Sequence, residues 1–304
     1  MSGKPSSQAN GQSTRIAGIF QALLVTFLWS TSWVIIKFGL ADIPALPFAG
    51  LRYFIAFLCL LPFAFTRKSS AAWKKLAGRE WVLLGILGLI YYALTQGTQF
   101  LSLSYLPAMT ASLILNFTTS IVALSGIALL AECPSPLQWI GVIINLGGIL
   151  IYFFPVDLPS QQAIGVLIAI VGVIANAGSS LLGRYINRME TISPLQVTIV
   201  SMGIGSALLL IAGVIAQGFP ELSLTNWMAI LWLAVVNTAI AFTLWNRTLR
   251  VLSAMESSII NSTMLIQIAV LAWIFLGERV NWQEGIGMAL AAAGVMIVQI
   301  RKKS

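Results

Sequence analysis

Residues 130–141 read LAECPSPLQWIG, and residues 276–287 read LGERVNWQEGIG, a second copy of one pattern 146 positions further along. Glu132 aligns with Glu278 in this comparison, although acidic residues are scarce throughout the chain. The alignment runs without a gap from residue 108 to residue 148, and it places Gly141 on Gly287 and Gly148 on Gly294. Apolar composition aligns Leu, Ile and Ala by chance, but it does not align a rare glutamate together with two glycines. We interpret the chain as an internal duplication.

The composition around this repeat is that of a membrane protein. Hydrophobic residues make up 58% of the chain, charged residues only 9%, and the mean hydropathy is +0.92, a balance that soluble domains do not have. Crossing a bilayer takes roughly 20 apolar residues in a helix. Ten runs of this kind lie at 16–40, 46–65, 81–100, 108–130, 137–154, 163–186, 195–216, 227–245, 257–276 and 282–300. The sequence therefore predicts an all-α integral membrane protein with ten transmembrane helices.

Lysine and arginine orient these helices, because positive charge collects in cytoplasmic loops. Most basic residues fall on one side of the membrane when both termini are cytoplasmic. Each half then has five helices, an odd number, so the second half is expected to be inserted upside down relative to the first. The first run also aligns with the sixth at a shift of 147, which pairs Ser32 with Ser179 and Lys37 with Arg184. Inverted repeats provide the geometry that alternating access needs.

The chain divides accordingly into five segments. These are a disordered cytoplasmic tail (1–15), a first five-helix repeat (16–154), an external linker (155–162), a second five-helix repeat (163–300) and a basic cytoplasmic tail (301–304). Glu132 and Glu278 each precede a predicted helix, so we expect their carboxylates to cap its free N–H groups. The four aligned glycines favour close packing of the fifth and tenth helices, within the bundle or against a second protomer. We therefore expect a monomer or a weak homodimer.

Polar side chains in the middle of several runs predict a central cavity, because an unpaired amide facing lipid costs several kcal/mol. Trp29 and Trp33 lie one turn apart on the first helix and offer stacking surfaces. The candidate substrate-binding residues are Trp29, Ser32, Trp33, Tyr92, Gln96, Gln99, Ser112, Asn116, Asn176, Ser179, Asn237, Ser258 and Asn261. Any single one can instead hydrogen-bond between helices, so the prediction rests on the set. Aromatic walls with neutral amides and hydroxyls suit zwitterionic or amphipathic solutes, amino acids in particular.

Other functional classes fit the sequence less well. The chain has no histidine, which removes histidine-based triads, histidine metal ligands and the usual proton shuttle. It has no glycine-rich P-loop, which argues against ATP-driven transport. We expect no cofactor, no metal and no nucleic-acid partner, since the topology already accounts for the basic charge. A membrane-embedded transferase and a passive channel are the alternatives to a transporter.

The acidic residues bear on energy coupling. They lie in loops or at predicted helix ends, and Glu256 lies near the cytoplasmic start of the ninth helix. Ion-coupled carriers generally need an ionisable group near mid-membrane, so we expect facilitated flux, with proton antiport of drugs or metabolites through Glu256 as the alternative. Lys37 and Arg52 lie near the outer ends of the first two helices, where they can anchor a substrate carboxylate or, as we favour, extend to the interface.

Three short motifs resemble those of a known family. Residues 29–33 read WSTSW, followed by Lys37; the second run carries Arg52-Tyr53; and residues 275–278 read FLGE, followed by Gln283 and Gly287. These motifs resemble the drug/metabolite transporter superfamily, specifically its EamA-type ten-helix exporters. The first half departs from the pattern, with LLAE at 129–132 and then Cys133-Pro134, so its loop is expected to form a different turn. The resemblance covers the spanning region and implies export of small metabolites, amino acids among them, across the plasma membrane, the inner membrane in bacteria.

Overall fold

The computed structural model describes residues 6–64, 76–122, 125, 135–154, 159–189, 192–248, 251–252, 257 and 260–299. In the first half its helices are α1 (Ser6–Gly39), α2 (Ala45–Ala64), α3 (Gly78–Tyr105), α4 (Ala108–Asn116) and α5 (Pro136–Phe153). In the second half they are α6 (Ser160–Arg188), α7 (Pro194–Gln217), α8 (Leu224–Ala234, then Val235–Ile240 and Ala241–Thr248), α9 (Met264–Leu276) and α10 (Trp282–Gln299). The described part of the chain is all-α and contains no strand.

Length and composition make these helices membrane-spanning. Within the described ranges, seven helices are long and apolar enough to cross a bilayer, namely α1, α2, α3, α5, α6, α7 and α8. The helices α4, α9 and α10 are shorter and apolar. Large apolar side chains lie on their outer faces, with Ile215 80% exposed and Leu150 69% exposed. Such surfaces are stable where lipid replaces water. The protein is a multi-pass integral membrane protein, as predicted.

The ends of the helices follow local sequence signals. Helix α1 begins at Ser6, ahead of the apolar run, so residues 6–15, expected to be a disordered tail, form the polar first turns of this helix. Helices α5 and α7 each begin with proline at the first helical position and a serine cap before it. This combination suits a helix start because proline has no N–H to leave unpaired there. Gly277, with φ of +65°, ends α9 in the left-handed conformation that glycine adopts without strain.

The internal repeat is visible in the caps of α5 and α10. Ser135 and Gln138 form a reciprocal capping box at the start of α5, each bonding the backbone N–H of the other. Asn281 and Glu284, 146 positions later, form the same box at the start of α10, with both bonds 2.8 Å long. The carboxylate that caps α10 is therefore Glu284. The expectation that Glu278 caps this helix is wrong, because Asn281 already occupies the capping position.

The aligned glycines bring α5 and α10 against each other. A Cβ atom on Gly148 would lie 2.6 Å from the carbonyl oxygen of Gly287, and one on Gly141 would lie 2.7 Å from the backbone nitrogen of Val298. Between these contacts Asn145, fully buried, donates to the Ala291 carbonyl at 3.0 Å. The glycines thus pack within the bundle rather than against a second protomer. Contact this close needs residues without a side chain.

Two helices contain a π-helical segment that the sequence did not reveal. One is Leu89–Thr95 in α3 and the other is Val235–Ile240 in α8, so they begin 146 positions apart. In each, a threonine hydroxyl bonds the carbonyl five residues earlier: Thr95 with Ile90 at 2.9 Å and Thr238 with Leu233 at 2.8 Å. Segments of this kind insert an extra residue into a helix and occur frequently at functional sites. The two repeats therefore share a local irregularity as well as their helices.

Candidate substrate-binding site

Asn237, within the π-helical segment of α8, joins this helix to α1. Its Nδ2 donates to the Leu28 carbonyl, to the Thr31 hydroxyl at 3.1 Å and to the Ser32 hydroxyl at 2.8 Å. The Leu28 carbonyl can only accept, so it fixes which end of the amide is the nitrogen. Asn237 is fully buried, and its Oδ1 has no hydrogen-bond partner among the described residues. This oxygen is therefore a buried acceptor that the described residues leave unsatisfied.

Arg52 of α2 lies beside the same hydroxyl. Its Nε donates to the Thr238 hydroxyl at 3.2 Å, and its Nη2 lies 3.5 Å from the Ser32 hydroxyl. The guanidinium carbon is 5.1 Å from the centre of the Tyr53 ring and 6.0 Å from that of Phe100. Arg52 is only 5% exposed. The expectation that it extends to the membrane interface is therefore wrong: the hydroxyls and rings of the bundle interior hold it in place.

A second polar contact, between Tyr53 of α2 and Gln96 of α3, lies beside Arg52. The Tyr53 hydroxyl donates to Gln96 Oε1 at 2.6 Å, and both side chains are buried. Tyr92 packs edge-on against Tyr53, with ring centres 5.6 Å apart, and against Tyr91 at 4.8 Å. Gln99, one turn beyond Gln96, is half-buried. We call Ser32, Arg52, Tyr53, Gln96, Asn237 and Thr238 the polar layer.

Aromatic side chains lie next to the polar layer. Trp29, one turn before Ser32 on α1, has its ring centre 5.4 Å from that of Phe242 and 5.2 Å from that of Trp245. Trp29 is half-buried, so part of its ring is open to contact, whereas Trp33 is buried in the core. A polar and an aromatic surface thus adjoin along α1.

The remaining candidates are dispersed. Asn176 of α6 donates to the Thr118 hydroxyl at 3.3 Å, which joins α6 to the chain just after α4. Three others bond carbonyls of their own helices: Ser112 bonds Met109, Asn116 bonds Ser112, and Ser179 bonds Asn176. Asn261 is exposed, and Ser258 lies outside the described residues. The structure thus brings Ser32, Gln96 and Asn237 into one layer but not the whole predicted set.

Polar contacts join the helices at one end of the bundle, the end that contains the turn between α1 and α2. The Lys37 ammonium donates to the carbonyls of Leu103 and Leu106, both at 2.7 Å, and so caps the end of α3. Glu278 accepts from the backbone N–H groups of Ala108 at 2.6 Å and Met109 at 3.0 Å. It therefore caps α4, across the boundary between the repeats. A carboxylate at a helix start is favoured by the helix dipole.

Several of these residues were not among the sequence candidates. Tyr53 was part of a motif only, and Arg52 was expected to extend to the interface rather than to anchor a substrate carboxylate. Sequence spacing does not show that an arginine seven residues into a span is enclosed. Gln267 of α9 also bonds Ser30 and Thr26 of α1, at 3.0 and 3.2 Å. A lone glutamine within an apolar run was the signal for it. Among the described residues no group of three Asp, Glu or Cys side chains could hold a metal ion.

Comparison with known families agrees with this architecture. The profile of the EamA-like transporter family matches the chain twice, over residues 16–154 and over residues 163–300. The chain belongs to the EamA-like transporter family. The two matches coincide with the two repeats of the duplication, so each repeat is one EamA unit. The resemblance inferred from the short motifs is confirmed.

Relatives of this EamA-like protein are named as transporters. An uncharacterized transporter of Archaeoglobus fulgidus is 26% identical and covers 92% of this chain and 96% of its own. A probable amino-acid metabolite efflux pump of Salmonella typhimurium is 25% identical, covering 91% and 93%. The S-adenosylmethionine/S-adenosylhomocysteine transporter of Chlamydia trachomatis is 24% identical, covering 93% and 88%. A solved crystal structure with 17% identity has the same fold, with a TM-score of 0.66 over 93% of this chain and 97% of that one.

Proposed function

We propose that this EamA-like protein exports amino acids or closely related metabolites across the plasma membrane, by alternating access between two inverted five-helix repeats. The observation that carries the proposal is the polar layer, in which residues of α1, α2, α3 and α8 meet beside the Trp29 ring. Family membership supplies the class, since the relatives are named as transporters rather than enzymes. Small-molecule sites commonly combine apolar walls with a few convergent polar groups.

The substrate class is supported by the relatives. One is named for amino-acid metabolites and another for S-adenosylmethionine and S-adenosylhomocysteine. These solutes share an α-amino acid head, with a carboxylate and an amino group on one carbon, and differ in the rest of the molecule. A site with fixed polar groups and an aromatic wall matches that pattern.

Transport is tested by counterflow into liposomes that contain the purified protein. Liposomes loaded with unlabelled L-phenylalanine or L-methionine should take up the labelled amino acid above its equilibrium distribution for a limited time. An open pore gives no such overshoot, which separates a carrier from a channel. Replacing Asn237 or Gln96 of the polar layer with Leu should reduce the overshoot, and the sequence prediction that Asn116→Leu does so as well is tested in the same assay. Absence of counterflow for a panel of amino acids and S-adenosylhomocysteine would refute the proposed function.

We propose further that all of α1 to α10 span the membrane and that both termini are cytoplasmic. The short helices α4 and α9 belong to apolar runs at 108–130 and 257–276 that are long enough to cross. Asp157, which lies outside the described residues, should then face the exterior. In a variant without Cys59 and Cys133, a cysteine at Asp157 should react with an impermeant thiol reagent on intact cells, whereas one at Lys74 should react only after lysis. The opposite pattern would refute the inverted arrangement.

Flux is proposed to be facilitated rather than ion-coupled. The acidic residues that the structure describes lie at the ends of helices or in turns, as Glu80, Glu278 and Glu284 do. Glu256, the residue named for proton antiport, lies outside the described residues. Counterflow should therefore proceed without an ion gradient, and an imposed pH gradient should not drive accumulation above equilibrium. Accumulation that a pH gradient drives, and that Glu256→Gln abolishes, would establish antiport instead.

A further inference from the structure

We propose that Arg52 binds the carboxylate of the transported solute and that Asn237 accepts a hydrogen bond from its amino group. The two residues would thereby select the α-amino acid head. This inference rests on the proposed transport function and names the groups that recognise its substrate. It concerns Arg52 above all, for which the sequence favoured extension to the interface over binding of a substrate carboxylate.

Arg52 is a buried cation whose neighbours within the described residues are neutral. Its hydrogen bonds go to the hydroxyls of Thr238 and Ser32, and its guanidinium lies over two aromatic rings. No described carboxylate forms an ion pair with it. A buried charge is costly unless it is paired, so an incoming anion would be stabilised here. A guanidinium also has five N–H donors, and the described residues accept from only two nitrogens.

The geometry of the guanidinium favours a carboxylate over other anions of similar size. The remaining donors include Nη1, which the described residues leave without an acceptor. Two adjacent N–H groups of one guanidinium bind the two oxygens of a carboxylate in parallel. The contact from Nη2 to Ser32, at 3.5 Å, is at the limit of a hydrogen bond and is the one that a ligand can replace.

Asn237 provides a hydrogen-bond acceptor next to the donors of Arg52. Its Oδ1 is a buried acceptor without a partner in the described part of the chain, a condition that native proteins rarely tolerate without a reason. Its Nδ2 and the Arg52 Nη2 contact the same oxygen, that of Ser32. One amino-acid head is therefore placed to reach both residues, with its carboxylate on Arg52 and its ammonium on Oδ1. Trp29, one turn along α1, offers its ring to the apolar part of the solute.

A purely structural role for Arg52 predicts different behaviour. An arginine that only joins α1, α2 and α8 would affect every ligand equally, through the stability of the bundle. An arginine that binds the carboxylate affects only ligands that carry one. The distinction therefore lies in the ratio of two affinities and not in activity alone.

The test measures binding to the detergent-solubilised protein, by ligand-induced change in thermal stability, for L-phenylalanine, L-phenylalaninamide and 2-phenylethylamine. The unmodified protein should bind the amino acid most tightly. Arg52→Gln should weaken binding of L-phenylalanine by about ten- to a hundredfold, the size expected for lost hydrogen bonds to a charged group, and change binding of the amide little. Arg52→Lys should fall between. Lys37→Gln, which changes a cation bonded only to backbone carbonyls, should leave the ratio of the two affinities unchanged.

A second variant tests the proposal independently, in case Arg52→Gln does not fold. Ser32→Asp places a carboxylate where both Arg52 and the Asn237 amide can donate to it, so the protein should remain folded while its own side chain occupies the ligand position. It should lose binding of L-phenylalanine and elute as the unmodified protein does. The proposal is overturned if the amide binds as tightly as the acid, if Arg52→Gln weakens both ligands equally, if Ser32→Asp binds normally, or if none of the twenty amino acids binds. Binding with this selectivity but without counterflow would refute the proposed function alone.

Discussion

Adding one methyl group at Gly148 tests the packing of α5 against α10. A Cβ there would lie 2.6 Å from the Gly287 carbonyl oxygen, about 1 Å inside the contact distance of roughly 3.5 Å. The atoms that it meets closest, in Gly287 and Ala291, are backbone atoms. A change of rotamer therefore cannot relieve the clash, and the two helices must move apart. Overpacking of this kind costs about 1 to 3 kcal/mol.

Gly147 provides the matched control. A Cβ at Gly147 would meet nothing within 4 Å, although this residue adjoins Gly148 in the same helix. Replacing glycine by alanine inside a helix stabilises it by about 0.5 to 1 kcal/mol, and this gain is common to both variants. The difference in stability between Gly148→Ala and Gly147→Ala thus isolates the packing term of about 1 to 3 kcal/mol.

The assay is thermal unfolding of the two variants in detergent, followed by the loss of the folded peak in size-exclusion chromatography. Gly148→Ala should unfold at a lower temperature than the unmodified protein, and Gly147→Ala at the same or a higher temperature. Transport per folded molecule should be similar for both, because α5 and α10 carry none of the polar layer. Equal unfolding temperatures for the two variants would show that α5 and α10 are not packed through Gly148.

Three further substitutions follow from single contacts, each measured by thermal unfolding in detergent. Glu278→Gln should destabilise the protein by about 1 to 2 kcal/mol, since a neutral amide caps α4 more weakly than a carboxylate. Glu284→Gln retains its capping box and should be nearly neutral. A larger loss of stability for Glu284→Gln than for Glu278→Gln would refute the cap assignment. Asn145→Leu should cost about 1 to 2 kcal/mol through the unpaired Ala291 carbonyl, and an unchanged midpoint would contradict the α5–α10 contact. Thr238→Val removes the hydroxyl that accepts from Arg52 Nε. It should lower the affinity for L-phenylalanine clearly and the unfolding temperature only slightly.

The sequence was sufficient for the class of fold and for the repeat. Hydrophobic runs placed the helices closely, because in lipid a backbone must satisfy its own hydrogen bonds and a helix does so. The pairing of α5 with α10 was half-predicted: aligned glycines indicated close packing, but only the structure identified the partner. The π-helical segments were missed because Leu89–Thr95 and Val235–Ile240 have no composition that distinguishes them from ordinary helix.

The site was harder to predict, and Arg52 shows why. Sequence spacing tells how deep a residue lies in its own helix, but not which neighbouring helices cover it. An arginine seven residues from a helix start can reach the interface when that path is open. Here Thr238, Ser32 and the Phe100 ring surround it instead. Whether such an arginine is enclosed depends on contacts with helices that are distant in the sequence. The periodicity of one helix gives no information about those contacts.

The repeats are symmetric in their backbone but not in their polar side chains. Under the shift of 146, Asn237 aligns with Tyr91, and Arg52 aligns with Thr198, whose hydroxyl bonds its own helix at Pro194. Among the residues whose burial the structure describes, the buried arginine is Arg52 of the first half. Under the proposed mechanism the same residue would then hold the carboxylate in both conformations. Under this proposal the two conformations differ in which end of the bundle admits water, while the solute stays between Arg52 of the first repeat and Asn237 of the second.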